Sequence, residues 1–327
     1  MRATNCKHRA AIFASLALCA SLSTGLSAQE FPVKPVRFIV PFPPGGTVDP
    51  LARLIGTKLN AALGQQFIVD NRTGGSGTIG TGIAAKANPD GYTYVFVFDT
   101  HAVNPSLLPD LSFDTQKDLA PVMLVGRAPY GIITHQSKPY KTMADVVKLA
   151  KAKPDTVTYG TVGAGSLGHL ALTLASQAGG FKIVHVPYKG GGPMTVAVMG
   201  GQIDLGIGST ALVTPFVNDG RVRALATTGD VRAATLPNVP TLIEDGYKGV
   251  TAYAWWGIFT TARTPPAILR KFHGEVVKVL NQPDVRKLLG EQLGMELVVS
   301  SPEELRQWTD NEITRWAKVI RDNNIKP

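Results

Sequence analysis

Gly163-Ala164-Gly165-Ser166-Leu167-Gly168, followed directly by His169, is the stretch whose residue types could do chemistry, and of two kinds. Lying after a probable strand and opening a helix, it fits G-x-G-x-x-G, whose glycines let a backbone approach a dinucleotide pyrophosphate. Centred on Ser166, it also matches part of the elbow that presents a serine nucleophile. Both patterns break on the surrounding residues. A dinucleotide ribose needs a carboxylate about 20 residues on, and the stretch from His169 to Ile203 contains neither Asp nor Glu. In the elbow, Ala164 replaces the first glycine of G-x-S-x-G, and His169 is not in the usual chain order for a triad base. What survives is a glycine-cleared helix start where a small anion could sit. A secreted serine hydrolase acting through Ser166 is kept as the alternative to a binding function.

No other constellation points to catalysis. His101, His135, His169 and His185 are scattered without ligand spacing, so no metal is expected. Cys6 and Cys19 both lie in the N-terminal leader, which leaves the mature chain without disulfides or thiol chemistry. No catalytic residue and no cofactor are assigned.

A second glycine-rich turn is more informative. Val40-Pro41-Phe42-Pro43-Pro44-Gly45-Gly46-Thr47-Val48-Asp49 joins a short β-branched strand to a helix through a rigid segment that glycines then open. Leu51, Leu54, Ile55, Leu59 and Leu63 keep helical spacing after it, and Gly64 ends the helix. The unpaired N–H groups of such a helix start, together with its positive dipole end, form an anion cradle.

These turns need elements to hold them. Phe67–Asp70 reads as a strand, Thr78–Ala87 as a helix and Tyr92–Phe98 as a strand, with loops at 71–77 and 99–105. The alternation indicates a parallel sheet covered on both faces, with ligands beyond the carboxyl ends of the strands. A second α/β unit follows, with strands near Gly131–His135, Val157–Thr161, Ile183–Val186 and Ile203–Ile207 and a helix from Ser166 to Ala178. Past Gly249 come the apolar Trp255–Phe259 segment and a helical tail. Its last helix opens on Ser301-Pro302-Glu303-Glu304, with a stripe of Leu305, Trp308, Trp316, Val319 and Ile320 read as core.

Arg2, Lys7 and Arg9, an apolar run from Ala10 to Ala20 and small residues up to Ala28 have the layout of a secretory signal peptide, so a protein exported from the cytoplasm is expected, and the family resemblance given below implies the periplasm. Loss of those three basic residues takes the formal charge from +9 to +6. That is a mild preference for anions, and no arginine-rich run interleaved with aromatics suggests nucleic acid.

Pro41-Phe42-Pro43-Pro44-Gly45-Gly46 with Asp49, Asp70-Asn71-Arg72, Pro89-Asp90-Gly91-Tyr92, Val186-Pro187-Tyr188-Lys189-Gly190 and Gly200-Gly201-Gln202 together resemble the Bug family. These are the extracytoplasmic solute receptors of tripartite tricarboxylate transporters, and the resemblance spans essentially the whole mature chain. It implies an α/β, two-lobed periplasmic-binding-protein type II fold, each lobe a sheet covered by helices. The signal peptide would be 1–28, the first lobe 29–126 and 250–327, and the second lobe 127–249. It further implies a non-enzymatic monomer that delivers a small carboxylate to membrane transporter subunits.

By the same resemblance the pocket is assembled from Phe42 to Thr47, Thr100, His101, Ser166, His169, Tyr188 and Lys189. Ser209 and Thr210 join them, and Gly45, Gly46 and Gly165 supply backbone N–H groups. Where many members carry an acidic residue, this chain reads Gly206-Ile207-Gly208-Ser209-Thr210. An ammonium group on the ligand would lack a partner there. The expectation is therefore a carboxylic acid, with room for an aromatic mono- or dicarboxylate of terephthalate type. A ligand-sensing receptor for a signalling partner is a further alternative.

Overall fold

The computed structural model describes residues 31–108 and 110–325, so the expected signal peptide over 1–28 lies outside the described residues. All named elements belong to the body that begins at Lys34. In the first part, β1 (Val36–Val40) leads through the proline-glycine turn to α1 (Val48–Leu63), then come β2 (Phe67–Asn71), α2 (Thr78–Ala85), β3 (Thr93–Phe98) and α3 (Thr100–Leu107). The apolar spacing of α1 buries Leu51, Ile55 and Leu59, and Gly64 closes it in the left-handed region at φ 65°, its N–H bonded to the Asn60 carbonyl. β1 pairs in parallel with β2 and β3, which sends the turns after β1, β2 and β3 to one edge.

A 17-residue strand, β4 (Leu119–His135), joins the two halves. From Leu119 to Pro129 it runs antiparallel to β9 (Tyr253–Thr261). From Tyr130 to Thr134 it runs antiparallel to β7 (Leu205–Ser209). The sequence reading located only its last five residues, because Pro121, Gly126 and Pro129 look like breaks. The strand absorbs the first two with register shifts between Pro121 and Met123 and between Leu124 and Gly126.

The second half holds α4 (Met143–Ala152), β5 (Thr158–Thr161), α5 (Leu167–Gly179), β6 (Val184–Pro187), α6 (Gly191–Met199), β7, α7 (Thr210–Asn218) and β8 (Val222–Thr227). β5 lies between β6 and β7, parallel to both. The chain then returns through β9, which pairs antiparallel with β3 as well as β4. After it come α8 (Pro266–Leu280), α9 (Pro283–Arg286), β10 (Glu296–Leu297) and α10 (Pro302–Asp322). β10 pairs with β4. α10 starts on a capping box between Ser301 and Glu304 and buries Leu305, Trp316 and Ile320.

Two further differences from the sequence reading bear on the site. The segment after β3, expected as a loop, is helical from Thr100, so Pro105 lies inside α3 and forfeits one backbone bond there. β7 ends at Ser209 rather than Ile207, and α7 begins at the next residue, which places Ser209 at a helix start.

Candidate ligand-binding site

The turn after β1 is held by its own buried acid. Asp49 is 6% exposed and accepts from Arg53 Nε at 2.9 Å and from Asn71 Nδ2 at 2.9 Å. The same Asn71 amide donates to the Phe42 carbonyl at 2.9 Å. With both oxygens occupied, Asp49 organises the turn rather than facing a ligand. Thr47 is fixed from the other side, since Trp256 Nε1 of β9 donates to its Oγ1 at 2.9 Å.

Opposite this turn stands the glycine start of α6. A Cβ built on Gly192 would fall 3.0 Å from both the Gly45 carbonyl carbon and the Pro44 carbonyl oxygen, and one on Gly45 would fall 3.5 Å from Gly192 Cα. Two backbones therefore meet without side chains between them, at a spacing where any Cβ on the α6 side would have to push the facing backbone back. A polar tie joins the halves nearby. Ser76 Oγ donates to the Ala164 carbonyl at 2.8 Å, and Asn104 Nδ2 donates to the Ser76 carbonyl at 3.1 Å.

The seam encloses a cavity of about 20 Å³, lined by Phe42, Gly46, Thr47, Val48, Phe98, Val162, Gly190, Gly191, Ser209 and Leu212. That is room for roughly one water. Its wall contains no ionisable side chain. Instead, three helix starts converge on it: Thr47 and Val48 of α1, Gly190 and Gly191 of α6, and Ser209 ahead of α7. Each brings unpaired N–H groups and a positive dipole end. Phe42 and Val162 also line a second cavity, of about 280 Å³, together with Ser76, Gly163, Ala164, Tyr188 and Lys189. Lys189 is its one basic side chain. A more open groove of about 500 Å³ runs beside Gly45, Tyr188 and α6.

Of the expected site residues, Phe42, Gly46, Thr47 and Ser209 line the small cavity, Phe42, Tyr188 and Lys189 the second, and Gly45 and Tyr188 the groove. Thr100, His101, Gly165, Ser166, His169 and Thr210 line none of the three. His101 is 4% exposed and packs edge-on to Trp255 and tilted over Phe259, where burial alone lowers its pKa to about 3. Its Nε2 and the Thr210 hydroxyl are both buried without a hydrogen-bond partner. A Cβ on Gly165 would meet Leu107 of α3 at 2.7 Å.

Ser166 is fully buried and caps α5, its Oγ accepting from His169 N–H at 3.4 Å. His169 Nδ1 in turn accepts from the Gly165 N–H at 3.3 Å, and its ring stacks on His185 at 3.9 Å. Among the described residues no hydrogen bond joins Ser166 Oγ to an imidazole nitrogen, so the nucleophile and base of a hydrolase are not paired here. Burial lowers the pKa of His169 to about 4. None of these imidazoles is cationic at neutral pH, so the hydrogen-bond donors lining the cavities are backbone N–H groups, hydroxyls and Lys189.

Sequence reasoning missed Ser76, Phe98, Val162 and Leu212. The glycine run around Ser76 was the available signal, and Ser76 itself adopts φ 51° inside it. Phe98, Val162 and Leu212 carried none, since apolar residues at strand ends and on helices read as core.

The model of the tripartite tricarboxylate transporter family receptor, TctC, matches residues 51–325. Protein BugT of Bordetella pertussis is 33% identical over 309 residues, covering 94% of each chain. Among solved structures, R. palustris Rpa4515 with adipate is 33% identical with a TM-score of 0.87, over 91% of this chain and 100% of that one. MatC from Rhodopseudomonas palustris with bound malate is 31% identical with a TM-score of 0.83, over 89% and 100%. The periplasmic binding protein BugD is 30% identical with a TM-score of 0.86, over 90% and 99%. With its mixed α/β fold, this chain belongs to the tripartite tricarboxylate transporter receptor family, whose members are periplasmic solute-binding proteins.

Proposed function

We propose that this receptor captures a small organic carboxylate between its two lobes and passes it, chemically unchanged, to membrane subunits of a tripartite transporter. The observation that carries the reading is the convergence of the α1, α6 and α7 starts on one uncharged cavity. Oriented N–H dipoles stabilise a carboxylate without a formal counter-charge, whereas an ammonium group there would meet only like polarity. Thr47 Oγ1 already accepts from Trp256, so its own O–H is available to donate to an oxyanion.

Phe42, Phe98, Val162 and Leu212 give the same cavity apolar flanks, which favour a ligand with an apolar body. A benzene carboxylate or dicarboxylate of terephthalate type matches that chemistry. Phe42 and Val162 divide the small cavity from the one holding Lys189 and Tyr188, so an acid with two ends has a place for the second. The small cavity is far below the volume of such a body, so the lobes must part for it to enter. The reading assigns 29–126 and 250–327 to one lobe and 127–249 to the other, and the change of β4 partner between Pro129 and Tyr130 supports a crossing within that strand.

The test is a thermal-shift screen of terephthalate, benzoate, adipate, malate and citrate, followed by calorimetry and by recovery of the ligand. A stabilising carboxylate recovered intact is the expected result. Turnover of the recovered ligand, or stabilisation by amines instead of acids, would overturn the reading.

A further inference from the structure

Asp99 occupies a position that neither the turn chemistry nor the ligand cavity uses. It follows β3 as the N-cap of α3, and it is fully buried. Both of its oxygens are engaged by the other half of the fold. The Tyr130 phenol, at the point where β4 changes partner, donates to Oδ2. The Leu167 N–H, first in α5, reaches Oδ1 at 3.5 Å. Gly168 makes this possible by letting the Tyr130 ring pass under the helix, where a Cβ would stand 3.0 Å from Tyr130 Cε1. The α5 start that looks from sequence like an anion cradle is thus filled by the chain's own carboxyl.

We propose that Asp99 is a proton-binding site between the two halves, and that closing the cleft takes up one proton there. Among the described residues no cation pairs with the carboxylate. Tyr130 from β4 is a neutral donor, and Glu312 from α10 is a buried acid that repels a second negative charge. The titratable residue of α5 is His169 and that of α3 is His101, both uncharged through burial. Burial raises the Asp99 pKa to about 8 despite the opposing bonds from Tyr130, Leu167 and Thr100.

The direction of the coupling follows. Parting the halves removes Tyr130 and Leu167 and admits water, returning the carboxyl to an ordinary value near 4. Between about pH 4 and 8 the open form is therefore ionised and the closed form protonated, so closure draws a proton from bulk water and opening returns it. Below that window both forms hold the proton and above it neither does. Within it, affinity for any ligand that closes the cleft weakens toward tenfold per pH unit as pH rises.

The coupling to ligand rests on the capture function proposed above, so the test has one arm with ligand and one without. In the first arm, adipate binding is measured by calorimetry at pH 7 to 8, where both carboxyls of the ligand are ionised, in phosphate and in Tris. Uptake approaching one proton per adipate, lost in Asp99→Asn, is expected; equal uptake in that variant overturns the proposal. In the second, Ser76→Cys and Ala164→Cys are joined by a short bis-maleimide and the protonated-carboxyl infrared band is titrated without ligand. The Asp99 component of the band, taken as the difference from Asp99→Asn so that buried Glu312 cancels, should persist to about pH 8 in the joined protein, and its absence from pH 5 to 7 overturns the proposal. Failure of adipate to bind, with the infrared titration as expected, counts against the carboxylate reading alone.

Discussion

Trp256 Nε1 donates to Thr47 Oγ1 at 2.9 Å, tying the returning strand β9 to the first helix start. The bond uses the hydroxyl as an acceptor, and Thr47 spends nothing on capping its own helix, where it makes no side-chain cap bond. Its proton is left for the cavity it lines. Thr47→Val keeps the shape and removes that donor, which should weaken carboxylate binding by about 1–2 kcal/mol, roughly tenfold in Kd. Trp256→Phe removes only the support behind Thr47 and should cost less affinity. Calorimetry with the tightest acid of the screen checks both, and equal losses would mean that Thr47 matters only as a prop.

The glycine seam makes a steric prediction. Gly192 has an ordinary backbone conformation, yet its Cβ would lie 3.0 Å from two atoms of the Pro44–Gly45 backbone in the opposite half. Gly192→Val is therefore compatible with the fold and incompatible with closure. Binding should fall by more than about a hundredfold while the unliganded melting temperature moves by only a few degrees, the range of a surface substitution. Gly165→Val is the contrast. Gly165 has φ 76° and its Cβ would meet Leu107 at 2.7 Å, so that change should lower stability and binding together.

Local chemistry was legible in the sequence where a few neighbouring residues decide the outcome. Ser301 with Glu304 forms the capping box its spacing announces, and Gly64 closes α1 in the conformation glycine favours. Long-range decisions were not legible. Pro121, Gly126 and Pro129 conceal a 17-residue strand because its pairing is set by β9 and β7, far along the chain. The Gly165–Ser166 helix start looked as open to an anion as the Gly45–Gly46 turn. Its occupant, Asp99, lies 68 positions from Leu167 and is invisible to any local pattern.

Lys189 tests dipoles against a formal charge. It is exposed, lines the second cavity and makes no ion pair among the described residues. A solvated contact of that kind contributes about 0–1 kcal/mol and is screened by salt. Lys189→Met should then weaken a monocarboxylate by less than about fivefold, and raising the salt should abolish the difference. Loss of all binding in Lys189→Met, with Gly192→Val still competent, would require a salt-bridged carboxylate in place of the helix starts.

The stacked histidines predict an acid limit to stability. Thr161 Oγ1 donates to the Gly163 carbonyl at 3.0 Å, so His185 Nε2, 2.8 Å from the same hydroxyl, carries a proton and donates. His169 Nδ1 accepts from Gly165 N–H and must stay unprotonated to do so. Burial lowers His169 to about 4, and burial with the neighbouring His169 lowers His185 to about 3. Both values are below the unfolded reference near 6.5, so the neutral rings contribute stability that is complete above pH 6.5 and is lost as pH falls toward 4 and 3. Each histidine then removes up to about 1.4 kcal/mol per pH unit in that window. Urea unfolding at pH 7, 5.5 and 4.5 should show the decline, and His185→Gln should flatten it while lowering stability at pH 7 through the lost ring stack. A wild-type midpoint that holds constant from pH 7 to 4.5 would mean the pair is hydrated in solution and the α5 start is looser than its hydrogen bonds imply.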